Sequence, residues 1–150
     1  MQQQREVVVV LPDIRSTFNT GSFFRTADGA GVSKIFLTGI TAPPPHPHLL
    51  KVSLGAEHSV SWEYVPDVFV VIDKLKSHGY QLVAVEQTPQ SIDYCTATYA
   101  QKVAVFFGNE VEGLPQEILK YADMIVEIPM RGKKESLNVS VSGGIILYHL

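Results

Sequence analysis

Five consecutive apolar residues, 7 to 11, stand near the start of the chain and are closed by Pro12. Four of them are valines, and β-branched side chains favour extended backbone. An unbroken apolar run has no polar face. The strand it forms must be covered on both sides, which points to a parallel sheet with helices above and below. Similar segments recur at Lys34–Thr38, Gln81–Val85, 103–107 and 124–128, with a shorter candidate strand at 60–65. Helical patterns separate them. Residues 19–30 carry a stripe of Phe23, Phe24, Ala27 and Ala30, stopped at Gly31. Val68–Ser77 follows a capping Asp67 and ends before Gly79. Residues 115–121 open with proline, and a last helix, capped by Ser136 or Asn138, runs to Leu150. Residues 39–47 hold four prolines and read as a surface connection. This alternation predicts an α/β fold, a mostly parallel sheet with helices on both faces. Ligands on such sheets bind beyond the carboxyl ends of the strands.

A chain of 150 residues fits one domain, on the usual scale of about 100–200 residues. With 45% hydrophobic and 18% charged residues it can bury a core, which excludes a disordered chain. No apolar run approaches the roughly 18 residues of a membrane span, and the polar start, Met1 to Glu6, is not expected to act as a signal peptide. The net charge of −3 excludes a globally basic nucleic-acid binder, so any contact with RNA must use local patches. The single cysteine, Cys95, excludes a disulfide framework and a cysteine-based metal cluster. It reads as a packing residue and suits a reducing cytoplasm.

Four strand-end loops carry the candidate chemistry. The first, residues 12–25, opens a helix whose free N-terminus favours an anion such as phosphate, with Asn19 near the start and Arg25 further along. A capped helix with surface arginines is the plainer alternative. The second, Val85-Glu86-Gln87-Thr88, sets polar residues directly after a buried strand, which an ordinary strand-to-loop transition would also explain. The third, residues 107–115, has Gly108 for close backbone approach and Gly113 for a tight turn. Its Glu110 and Glu112 could be acid/base groups, hold a cation, or be solvated turn residues. The fourth, residues 128–140, holds the densest basic patch, Arg131, Lys133 and Lys134, and then Ser136, Asn138 and Ser140 at a helix start where a simple cap needs only one of them. There is no P-loop and no glycine fingerprint after the first strand, which disfavours a Rossmann dinucleotide site. His46 and His48, set among prolines without further ligands, fit a surface loop better than a metal site, and no metal is expected.

Asn19-Thr20-Gly21 with Arg25-Thr26-Ala27, then Gly108-Asn109-Glu110 with Gly113-Leu114, then Ile128-Pro129-Met130 with Ser136-Leu137-Asn138-Val139-Ser140, resemble the three motifs of the SpoU/TrmH family. These are RNA ribose methyltransferases of the SPOUT superfamily. Gly55 to Trp62 also resembles a family segment, and the likeness spans nearly the whole chain. The resemblance implies a deep C-terminal trefoil knot, a rare exception among folds. It implies S-adenosylmethionine as cofactor, held by the loop after the Gln81 strand (Glu86 and Gln87), Gly108, Ile128, Ser136 and Leu137. It also implies a homodimer with an RNA site shared between subunits, and tRNA or rRNA as the partner. Many members of that family carry an added RNA-binding domain or helical extensions; this chain is read as a single domain without them.

The resemblance implies Arg25 as the proton acceptor for a ribose 2′-hydroxyl, assisted by an RNA phosphate; the chemistry of the guanidinium offers the alternative of binding phosphate and developing oxyanion charge. Because arginine normally stays protonated, the second role is chemically the easier. Asn19, Glu110, Ser136 and Asn138 would position the ribose or Arg25. RNA affinity would rest on Arg15, Arg25, Lys51, Arg131, Lys133 and Lys134. Two other functions are weighed against the methyltransferase: a non-catalytic RNA-binding protein that retains the fold, and a nucleotide-dependent oxidoreductase. Intact candidate site residues speak against the first, and the missing glycine fingerprint against the second.

Overall fold

The computed structural model describes residues 4–150. In chain order the elements are β1 (Glu6–Pro12), α1 (Thr17–Ala30), β2 (Lys34–Thr38), α2 (Pro47–Ser53), a single 3-10 turn (Ala56–His58), β3 (Ser61–Tyr64), α3 (Val68–Ser77) and β4 (Gln81–Val85). There follow β5 (Ile92–Asp93), β6 (Lys102–Phe107), α4 (Gln116–Leu119), β7 (Met124–Glu127) and α5 (Val139–His149).

All seven strands lie in one sheet in the order β3-β2-β1-β6-β4-β7-β5, and every neighbouring pair is parallel. The apolar runs are buried on both faces, as their lack of alternation required. Val9, Leu11, Val105 and Phe107 point to one face and pack with Phe23, Phe24 and Ala27 of α1 and Ile146 and Leu147 of α5. Val8, Val10, Ala104 and Phe106 point to the other and meet Val71, Ile72 and Leu75 of α3 and Ile118 and Leu119 of α4. On the first face the helices approach closely: a Cβ on Gly143 of α5 would run into the Phe23 ring of α1, and one on Gly21 would lie 2.5 Å from the Leu49 carbonyl oxygen of α2.

Several local expectations are corrected. Helix α1 begins at Thr17, not Asn19, because Ser16 is the cap: its Oγ accepts the Asn19 N–H at 3.1 Å. Of the two caps open for α5, Asn138 takes the place, its Oδ1 accepting from the Ser140 and Val141 N–H groups. Residues 39–46 form the expected connection, but Pro47 opens a helix that proline-rich sequence concealed. The His46 imidazole caps it through Nδ1, and Pro47 supplies the first-turn geometry. Helix α4 ends at Leu119 rather than at residue 121, and the sheet gains β5, a strand of two residues. Cys95 is exposed rather than packed.

The chain works outward from β1 through β2 to β3, then returns to build β4 on the opposite side, with β6 inserted between β1 and β4. The carboxyl ends of β6, β4 and β7 therefore open side by side, just beyond the β1–β6 junction where the direction of winding reverses, and ligands on such sheets bind outside strand carboxyl ends.

Candidate functional site

A pocket of about 540 Å³ lies at those strand ends. Its walls are Val85, Glu86 and Gln87 after β4, Phe107 and the 108–113 turn after β6, Ile128 and Met130 after β7, and residues 136–139 with Ser142 at the start of α5. All six residues expected to hold a cofactor, Glu86, Gln87, Gly108, Ile128, Ser136 and Leu137, line it. So do Glu110 and Asn138. Its volume falls in the range of small-molecule sites, roughly 300–1,000 Å³.

The turn after β6 is built by its own side chains. Asn109 Oδ1 accepts from the Val111 and Glu112 N–H groups at 2.8 and 3.1 Å, while its Nδ2 donates to the Asp13 carbonyl at 2.6 Å. Gly113 has φ +68, a conformation that favours glycine, and its N–H donates to the Asn109 carbonyl. Glu86 braces the turn from β4: its Oε2 accepts the Leu114 N–H at 2.9 Å. A Cβ on Gly113 would strike that carboxylate.

Gly108 has a different purpose from the one its sequence suggested. A Cβ there would lie 2.6 Å from the Gly113 carbonyl carbon and 2.7 Å from the Leu114 nitrogen. The missing side chain makes room first for the chain's own backbone, so closure of the turn already requires glycine.

Glu110 ties this turn to the start of α1. Its Oε1 accepts the Arg15 N–H at 2.8 Å, and its Oε2 accepts the Ser16 N–H at 2.8 Å and Asn19 Nδ2 at 3.0 Å. Partial burial alone would raise the Glu110 carboxyl. The hydrogen bonds from the Arg15 amide, the Asn19 side chain and the Ser16 amide outweigh it and hold the group below the ordinary carboxylate value. The carboxylate is thus ionised and engaged by three donors, an anion at a helix N-terminus. That makes it a positioning group and a poor proton acceptor. Asn19 continues the chain of contacts: its Oδ1 accepts from Asn138 Nδ2 at 3.3 Å. Gln87 Nε2 donates to the Glu135 carbonyl at 2.9 Å and ties the β4 loop to the segment before α5.

The structure thus brings together Glu86, Gly108, Glu110, Asn19, Asn138 and the 136–139 segment, drawn from four separate loops. It does not bring Arg25 to this pocket. Arg25 is exposed on the outer face of α1 and makes no hydrogen bond or ion pair among the described residues. Arg15, Arg131, Lys133 and Lys134 are also exposed, the last three on the loop that leads to Ser136. Glu112 lines the pocket and is free of side-chain hydrogen bonds among the described residues, so the paired carboxylates have diverged in role. Among the described residues no group of three or more His, Cys, Asp or Glu side chains is placed to hold a metal ion. Met130 and Asn109 stand in the motifs without an assigned role; Met130 lines the pocket, and Asn109 shapes it as asparagine commonly does in a turn.

A model of the SpoU rRNA Methylase family matches residues 6–148. The tRNA (guanosine(18)-2′-O)-methyltransferase of Borreliella burgdorferi is 36% identical over 141 residues, covering 94% of this chain and 64% of that protein. The enzyme of the same name from Aquifex aeolicus is 30% identical, covering 98% and 69%. Among solved structures, the AdoMet-bound rRNA methyltransferase of Sinorhizobium meliloti superposes with a TM-score of 0.90 at 31% identity, covering 98% of this chain and 56% of that one. The chain therefore spans just under two thirds of the Borreliella relative and little more than half of the Sinorhizobium one.

Proposed function

The chain belongs to the SpoU rRNA methylase family, and on that premise we propose that it methylates a ribose 2′-hydroxyl of tRNA or rRNA with S-adenosylmethionine as donor. The observation that carries this reading is the convergence of Glu86, Gln87, Gly108, Ile128, Ser136 and Leu137, distant in sequence, on one pocket at the carboxyl ends of β4, β6 and β7.

The pocket suits that cofactor. It mixes apolar walls, Val85, Phe107, Leu137 and Val139, with Gly108 and Ile128 at the strand ends and the polar groups of Gln87 and Ser136. When bound, S-adenosylmethionine supplies a methyl group already electrophilic on its sulfonium, which leaves as a neutral thioether. The protein's part is to orient the ribose oxygen and help remove its proton. Glu110 holds Asn19, and Asn138 holds Asn19 from the other side, which fixes the rim where a ribose would enter. Ser136 and Asn138 offer polar contacts at that rim. Arg25 binds a phosphate and stabilises negative charge developing on the oxygen, a use that suits a permanently charged guanidinium.

Arg25 lies outside the pocket of its own chain, which favours a site completed by a second copy. We place Arg25 of one protomer at the pocket of its partner in a homodimer, with an interface of roughly 1,600 Å². Exposed Val141 and Tyr148 on α5 offer apolar surface for it. A monomer by sedimentation at micromolar concentration with methyl transfer intact would exclude this arrangement. The trefoil knot expected from the family is consistent with Gln87, after β4, bonding the Glu135 carbonyl while His149 packs against Tyr94 and Tyr99. An exposed free cysteine and an RNA substrate suit the reducing cytoplasm. No helix among the described residues is long and apolar enough to cross a membrane.

Mapping 2′-O-methylated positions in tRNA and rRNA with and without the gene tests the reading. One or more positions should lose their methyl group. An unchanged map, together with failure to bind S-adenosylmethionine in a calorimetric titration, would overturn it. Binding of RNA without cofactor or methyl transfer would instead identify a non-catalytic member of the family.

A further inference from the structure

Phe18 stands immediately before Asn19 at the start of α1, yet its ring is 48% exposed. It is not a stray apolar residue, because it lies stacked on His48, ring centroids 4.8 Å apart and planes 11° from parallel. His48 is itself held in place. It follows Pro47, whose backbone is restricted, and its N–H donates to His46 Nδ1 at 3.2 Å in the cap of α2. The His46 ring stands beside it at 5.4 Å, tilted by 59°. Two segments, the start of α1 and the start of α2, therefore present a preformed π surface next to the Asn19 end of the site.

The same helix face carries a cation. Phe18, Ser22 and Arg25 follow at i, i+4 and i+7, one stripe of a helix, and Phe18 and Arg25 stand about 10 Å apart along its axis. An aromatic surface and a guanidinium in a row are what a single-stranded nucleic acid needs: one takes a base, the other a backbone phosphate. A folded duplex offers no free base face, so the feature selects an unpaired nucleotide.

We propose that the Phe18–His48 stack is a binding site for an unpaired RNA base flanking the nucleotide whose phosphate Arg25 binds. This inference rests on the methyltransferase reading for its substrate. It defines a recognition element outside the cofactor pocket, one that selects for looped rather than paired RNA around the target.

The probe is a short single-stranded oligoribonucleotide carrying one 2-aminopurine, whose fluorescence falls when the base stacks. Wild-type protein and Phe18→Tyr should bind it with quenching. Phe18→Ala should lose the quenching and bind roughly tenfold or more weakly, and His48→Ala should show a smaller loss in the same direction. S-adenosylmethionine affinity, measured by calorimetry on each variant, should be unchanged and serves as the check of folding. Equal binding and quenching by Phe18→Ala and wild type would overturn the proposal, as would binding by wild type with no quenching. If quenching depends on Phe18 but no RNA is methylated by wild-type protein, the stacking site stands and the enzymatic reading falls. If wild type methylates RNA and Phe18→Ala does so with the same KM, the enzymatic reading stands and the stacking site falls.

Discussion

The pocket at the ends of β4, β6 and β7 and the outer surface of α1 with the 131–134 loop are built on opposite plans. In the pocket, carboxylates and amides are already engaged with the chain: Glu86 with the Leu114 amide, Glu110 with three donors, Asn109 with three atoms of backbone around it. On the outer surface, Arg25, Arg131, Lys133 and Lys134 extend into solvent with no protein partner among the described residues. The first region is shaped before any ligand arrives and suits a small molecule of fixed form. The second keeps its charges free for a large anionic partner that brings its own order. Substitutions in the first should act through structure and binding of the small ligand; those in the second should act on RNA binding and methyl transfer, with affinity for the small ligand unchanged.

Gly108→Val tests the first half most severely. Its side chain would meet the Gly113–Leu114 backbone, so the turn cannot close. The expected outcome is a loss of stability of about 2–3 kcal/mol, the upper range for overpacking, and loss of measurable S-adenosylmethionine binding by calorimetry. Wild-type affinity in that variant would break the contrast at its root.

Arg25→Lys tests the second half. Charge is kept and the planar fork is lost. Single-turnover methyl transfer at saturating RNA should slow by roughly 10²-fold, with cofactor affinity unchanged. A normal rate with a raised KM would reduce Arg25 to a tether for RNA.

Glu110→Gln sits at the seam between the regions. An amide NH₂ would face an N–H donor where a carboxylate oxygen now accepts, at a cost of about 0.5–1.5 kcal/mol for so exposed a group, readable in urea unfolding. The wild-type carboxyl titrates lower in the folded protein than unfolded. Its contribution to stability is therefore present above the unfolded value, near 4.5, and is lost as pH falls through the folded one. The stability difference between wild type and Glu110→Gln should shrink on acidification through that window; a difference constant with pH would count against the ionised, triply bonded carboxylate.

The smallest effect is expected from Lys133→Ala with Lys134→Ala. RNA affinity should fall severalfold at low salt, and the slope of log K against log salt should flatten by roughly 0.7 for each phosphate contact to a single strand. Cofactor binding should not change. A variant with an unaltered salt slope would remove this loop from the RNA surface.

The sheet was legible because its strands are unbroken apolar runs, and the runs in β1, β4 and β6 could be buried in no other way. Helix α2 was hidden because its cap is an imidazole within a proline tract, outside the usual capping residues. Strand β5, at two residues, lies below any periodic signal. The site residues were legible as motifs, but their roles were less so. Spacing alone left Glu110 a candidate proton acceptor, and only the three donors around it make it a brace. Arg25 was visible as a residue type, while its distance from the pocket depends on how α1 is rotated against the sheet.

Asn138 has one further consequence. One end of its amide caps the first turn of α5, and the other end reaches Asn19 across the site. Opening that turn must therefore cost the Asn19 contact as well, so the two events share one free energy. Any occupant that holds the Asn19 rim in place should slow transient opening of α5 from its start. The Ser140 and Val141 amides become a clock for site occupancy: their hydrogen–deuterium exchange should lengthen when the site fills, while amides near His149, at the far end of the helix, keep their own pace.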